Sequence, residues 1–68
     1  MSEKNLVVDT VSSSLVYIGE AAIAVTQATA FWKIKRITTT GSIVQIVWAD
    51  GNENFDNVWN NRASLSYA

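Results

Sequence analysis

A chain of 68 residues makes one domain, and at that length folding hides only roughly 60% of the surface of the extended chain, so the core is marginal. Small folds usually recover the deficit with disulfides, a metal or a partner. This sequence has no Cys and no His, which excludes a disulfide framework, a zinc site of the usual ligands and the common catalytic dyads and triads. Burial against a partner remains. Charged residues are only 16% of the chain, against 49% hydrophobic, so Ser, Thr, Asn and Gln must fill much of the surface. That composition suits a surface covered by neighbouring subunits. A formal net charge of −1 supplies no long-range field toward nucleic acid or an anionic membrane. The apolar runs fall well short of the ~20 residues of a membrane helix. The MSEKN start reads as a chain with no signal peptide, used without export.

In chain order, residues 1–5 are polar and expected to be mobile or bound to a partner. Leu6, Val7, Val8 and Val11 carry the β-branched and apolar character of a first strand, and Ser12, Ser13 and Ser14 break it. Residues 1–14 therefore read as an N-terminal arm or edge strand, and residues 15–68 as a single β-domain. Residues 15–21, LVYIGEA, form a second strand that is apolar on both faces. Gly19 in it marks a bulge or a close backbone approach. Residues 22–30, AIAVTQATA, mix helix formers with β-branched residues and lack a capping box, which predicts a loop or one helical turn. Ile23 and Val25 would make it a patch for another chain.

Residues 31–39 are a third strand with Trp32 and Ile34 inward and Lys33 and Lys35 in solvent. Ile37 falls out of phase with Trp32, which predicts a bulge near Lys35 and Arg36. Gly41 turns the chain in the left-handed region. Residues 42–49 are apolar on both faces and read as the central, most buried strand. Asp50 and Gly51 then close a hairpin onto a strand at residues 55–59, Asn60, Asn61 and Arg62 form a polar corner, and Leu65 and Tyr67 begin a short last strand. The fold class expected is all-β: a small antiparallel sheet or barrel-like sandwich of four to six strands, with Trp32, Ile34, Val44, Ile46, Trp48 and Trp59 in the core.

Chemical sites are sparse. Asp50, Glu53 and Asp56 lie in an oxygen-rich turn, but the Asp-x-Asx-x-Asx-Gly loop and its distant Glu are missing, so a hydrogen-bonded turn is the better reading. Lys33, Lys35 and Arg36 beside Phe31 and Trp32 loosely match a stacking platform for single strands. Lysines that protect an exposed sheet face explain them more simply. Arg62 is placed to pair with Asp56 or Asp50, to stack on a tryptophan, or to reach a neighbour. No catalytic residue, cofactor site or metal site is assigned.

Tyr17-Ile18-Gly19-Glu20-Ala21-Ala22, Trp32-Lys33-Ile34-Lys35-Arg36-Ile37, Ala49-Asp50-Gly51, Phe55-Asp56-Asn57-Val58-Trp59 and Arg62-Ala63-Ser64-Leu65-Ser66-Tyr67 together resemble a group of short tailed-bacteriophage structural proteins. The likeness covers residues 17–67. It departs at residues 22–25, which are more apolar than the Pro- and Gly-containing loop of that group. The resemblance implies a non-enzymatic component of the virion, made in the host cytoplasm. Together with the composition it leads to the expectation of a capsid decoration or cement protein. Its partners would be other virion proteins, chiefly the major capsid protein, and further copies of itself on a lattice, with no nucleic acid and no membrane. The interface expected comprises Leu6, Val8, Val11, Ile23, Val25, Phe31, Phe55, Trp59 and Arg62. A tail, neck or fibre-attachment protein is the nearest alternative, a small inhibitor of a host enzyme is the alternative of another class, and a nucleic-acid-binding barrel comes third.

Overall fold

The computed structural model describes residues 4–68. The expectation for the first residues concerns mostly Met1, Ser2 and Glu3, which lie outside the described residues. Four strands run in sequence order across one antiparallel sheet: β1 (Lys4–Ser12), β2 (Leu15–Ala22), β3 (Lys33–Thr40) and β4 (Ile43–Trp48). A 3₁₀ helix, Trp59–Ser64, follows them. The all-β expectation and its strand count hold.

Local chemistry explains the meander. β1 and β2 are rich in β-branched residues and separated by the serine cluster, where Ser12 Oγ accepts from the Ser14 backbone N–H at 3.2 Å in the kind of local turn that serine favours. Gly41, at φ 62°, turns β3 into β4. Lys4 and Asn5 belong to β1, paired with Ala22 and Ala21. β1 pairs with β2 along eight positions, so residues 4–12 form an edge strand of the same sheet as residues 15–48. The bulge expected in β3 is absent, for β3 pairs in unbroken register with both neighbours, Ile18 to Lys35 and Lys35 to Trp48. Ile37 needs no reset because it faces the sheet side opposite Ile34. The register shift lies instead in β1, between Thr10 and Ser12, where an irregular edge hinders pairing with another chain.

One sheet face is roofed by the loop before β3 and the segment after β4. Tyr17, Ala21 and Ile34 from the sheet meet Trp32, Ala49 and Trp59, with Val7, Leu15, Val25, Leu65 and Tyr67 packed around them. Trp32 and Ile34 are fully buried, and the Trp32 indole N–H donates to the carbonyl of Thr26 at 2.9 Å. A large aromatic side chain in a core of this size is worth about 3–5 kcal/mol. Trp32 and Trp59 lie in a tilted pair with ring centroids 6.0 Å apart, a geometry favoured by the aromatic quadrupoles.

Three expectations need correction. β4 is an edge strand and not the central one, because the chain goes on to cover the opposite face instead of adding strands beyond it. Val44 and Ile46 are accordingly 59% and 52% exposed and Trp48 is half-buried. The expected strand at residues 55–59 is only a single bridge, Asn57 to Trp32. Its aromatic residue Trp59 serves as a plug over the sheet, and the polar corner becomes the 3₁₀ helix. The last strand reduces to a bridge between Tyr67 and Ala49, with Ala68 and Trp48 exchanging backbone hydrogen bonds at 3.0 and 3.1 Å. The segment at residues 23–31 is a loop, with Ala24 at φ 73°.

Candidate protein-binding face

Antiparallel register fixes which side chains share a face. Opposite the roofed side, Leu6, Glu20 and Lys33 form one cross-strand row. Val8, Ile18, Lys35 and Trp48 form the next. A third comprises Thr10, Val16, Ile37 and Ile46, and Val44 beside Thr39 completes the surface. No segment of the described chain is roofed over these rows. Leu6, Val8, Val44 and Ile46 are all more than half exposed, while Val16, Ile18, Ile37 and Trp48 are half-buried by their neighbours in the sheet.

This arrangement departs from the usual antiparallel design, in which the solvated face alternates to polar residues. The four most exposed side chains alone leave on the order of 400 Å² in water, comparable to the largest apolar patch of a typical monomer at about 300–600 Å². Eight apolar residues converge on a sheet side that water would occupy in an isolated chain. Such a face is a candidate contact surface.

One end of the face is charged. Glu20 receives Lys4 at 3.2 Å and Lys33 at 3.4 Å, and Lys33 also reaches Glu53 at 4.0 Å. Burial pushes the Glu20 carboxyl up, but the Lys4 hydrogen bond and the charges of Lys33 and Lys4 outweigh it and hold the group below the usual carboxylate value. Lys33 and Lys35 lie over the Trp48 ring at 5.5 and 5.4 Å, and Lys4 and Lys33 over Phe55 at 5.0 and 5.1 Å. Their ammonium groups therefore sit as cations over the faces of Trp48 and Phe55. Between Leu6, Ile18, Glu20, Lys33, Lys35 and Trp48 lies a trough of about 250 Å³, below the ~300 Å³ at which small-molecule sites begin.

The expected interface residues divide into four places. Leu6 and Val8 lie on the open face. Val11 is exposed beside the β1 bulge, and Ile23 and Phe31 are exposed on the loop over the far side. Phe55 is 40% exposed at the charged end, under Lys4 and Lys33. Val25 packs on the core, Trp59 is buried within it, and Arg62 is engaged inside the chain. Arg62 Nε donates to Asp9 Oδ2 at 2.9 Å and Nη1 to the Trp59 carbonyl at 3.2 Å, with the guanidinium 4.6 Å over the Trp59 ring. The stacking alternative is realised, and the acidic partner is Asp9 rather than Asp56 or Asp50. The residues missed are Val16, Ile18, Ile37, Val44, Ile46 and Trp48. Two-sided apolar character in β2 and β4 was their signal, but the same pattern marks a strand buried by its own domain.

Among the described residues, no three His, Cys, Asp or Glu side chains converge as a metal site. In the Asp50 turn, Asn54 N–H donates to the Asn52 side-chain carbonyl at 2.9 Å, and Gly51 has φ 71°. No helix among the described residues is long and apolar enough to cross a membrane. No family model, curated protein or solved structure matches this chain.

Proposed function

We propose that this chain is a non-enzymatic structural component of a tailed-phage virion, a head decoration or cement protein that joins its assembly by burying apolar surface. The open sheet face carries the proposal: a small domain with a thin core leaves eight apolar side chains on one side of its four-stranded sheet, and covering them would add burial to a core that is marginal at this chain length. Ile23 and Phe31, exposed on the opposite loop, offer a second contact area. A subunit with two such areas bridges neighbours, and on a lattice individually weak contacts become durable. The low charge content fits a surface meant for contact, and the likeness at residues 17–67 supplies the phage context.

The test is mass spectrometry with copy-number determination on purified particles, before and after heads are separated from tails. Hundreds of copies staying with heads are expected. A few to tens of copies following tails would place the protein in the tail or neck. Absence from both would overturn the virion reading and favour a protein that acts on a host enzyme.

A further inference from the structure

We infer that the open sheet face is covered by a second copy of the same chain, the two sheets packing face to face as a four-on-four β-sandwich about a two-fold axis. The inference rests on reading this face as a protein-binding surface, and it is independent of the virion assignment.

The pairing registers make the face complementary to itself. A two-fold axis along the strands, between β2 and β3, lays β2 of one copy over β3 of the other and β1 over β4. Rows are preserved by that rotation. Val16 then meets Ile37 of the other copy, Val8 meets Trp48, and Thr10 meets Ile46, each contact occurring twice, as an isologous interface requires. Glu20 and Lys33 are cross-strand neighbours, so the same rotation brings each Glu20 over the other copy's Lys33. It also brings that carboxylate beside Lys35, which has no carboxylate within 4.0 Å among the described residues. The same rotation lays Ile18 over the other copy's Lys35, so that row is mixed, while the row of Val16, Ile37 and Ile46 is apolar but for Thr10 and opposite charges meet at the rim. The alternative two-fold axis, across the strands, would reverse the order of the rows, lay the Glu20 and Lys33 row over that of Thr39 and Val44, and separate each Glu20 from the other copy's Lys33.

The area is close to what a stable dimer needs. A stable interface needs about 800 Å² from each partner. Leu6, Val8, Val44 and Ile46 at 52–63% exposure, the half-buried Val16, Ile18, Ile37 and Trp48, and Lys33 and Lys35 together approach that figure. Aligned packing of two twisted sheets, with about 10 Å between them, is a common way to finish a sheet that has one bare apolar face. The free edge of β4 is the competing surface, since residues 43–47 could pair with a strand of another copy.

The experiment is sedimentation equilibrium of the full chain from micromolar to about 0.5 mM, with circular dichroism to verify folding. The expected particle has twice the 7.5 kDa chain mass. Glu20→Lys and Lys33→Glu, each at the rim of the face, should each weaken the dimer about tenfold or more, because either change sets like charges against each other twice. An equimolar mixture of the two variants should regain wild-type affinity to within about threefold, since both cross-copy pairs become attractive again. Ile46→Lys, which puts a charge among the apolar rows, should be monomeric. A wild-type chain that is folded and monomeric at 0.5 mM would overturn the inference and leave the particle test of function untouched. Dimers indifferent to both charge reversals would also overturn it, pointing to the β4 edge.

Discussion

The indole of Trp59 rests directly on the backbone of Gly19. A Cβ built at Gly19 would fall 2.7 Å from Trp59 Cζ3 and 3.1 Å from Trp32 Cε3, closer than carbon atoms pack. The glycine in β2 is therefore the seat of the tryptophan pair, and a close approach explains it where a bulge does not.

Gly19→Ala should destabilise the domain by about 1–3 kcal/mol, the cost of overpacking a tight site. For a chain of this size each kcal/mol lowers the melting temperature by about 4–8 °C. Combining it with Trp59→Leu should cost less than the two single changes added together, because the clash is relieved once the ring is gone. Urea denaturation of the four-member cycle measures the coupling, and strict additivity would contradict the contact.

Arg62 ties the 3₁₀ helix to the first strand across a sequence separation of 53 residues. Its Asp9 partner is 34% exposed in its side chain and Arg62 is 27% exposed, so solvent screening limits the ion pair alone to about 1 kcal/mol or less. The guanidinium also stacks on Trp59 and donates to its carbonyl, so Arg62→Ala should cost more than Asp9→Asn, about 1–2 kcal/mol against at most about 1. Arg62→Lys should restore little, because an ammonium lacks the planar stacking surface. Chemical denaturation of the three variants orders these costs, and equal losses for Asp9→Asn and Arg62→Ala would remove the stacking contribution.

Tyr67 gives the fold an alkaline limit. Its hydroxyl donates to the Arg62 carbonyl at 2.8 Å, and its ring lies 5.8 Å from that of Tyr17 and under the Arg36 guanidinium at 4.8 Å. Burial, followed by the neighbouring Tyr17 hydroxyl, pushes the Tyr67 phenol up to about 12 from 10.0. A folded value above the unfolded one means that folding favours the protonated phenol. The associated stability is complete below pH 10 and is lost as the pH climbs from about 10 to about 12. Absorbance at the phenolate band should show one tyrosine with a midpoint near 12 in the folded protein. Tyr67→Phe should remove that step and cost about 1 kcal/mol at neutral pH for the lost hydrogen bond. A Tyr67 midpoint at the ordinary value would contradict the burial of its hydroxyl.

The strands were legible because local chemistry marks them. Val7, Val8 and Val11 before the serine cluster, the alternation of Trp32 and Ile34 with Lys33 and Lys35, and Gly41 at the tight turn each encode their conformation within a few residues. The face that carries the functional reading was not legible, and the reason is physical. Apolar Val44, Ile46 and Trp48 look identical in sequence whether their cover is the same chain or another one, so β4 read as a buried central strand. Phe55 and Trp59 similarly carried the aromatic character of a strand. What they required was contact, with the lysine ammonium groups of Lys4 and Lys33 for Phe55 and with Gly19 for Trp59, and not pairing. The Asp9–Arg62 tie depends on where the end of the chain returns over the sheet, which no local pattern encodes.

Cover of the open face by a second copy can be read side chain by side chain. Carbene footprinting with residue-level mass spectrometry, on the protein at about 0.5 mM and on Ile46→Lys at the same concentration, reads the solvent access of each side chain. The account predicts that Val8, Ile18, Ile37 and Trp48 are protected in the wild-type protein and labelled in the variant, while Ile23 and Phe31 are labelled equally in both. Strong labelling of Val8, Ile37 and Trp48 in a folded wild-type protein, unchanged by the substitution, would contradict the claim that this face is covered by a second copy of the chain.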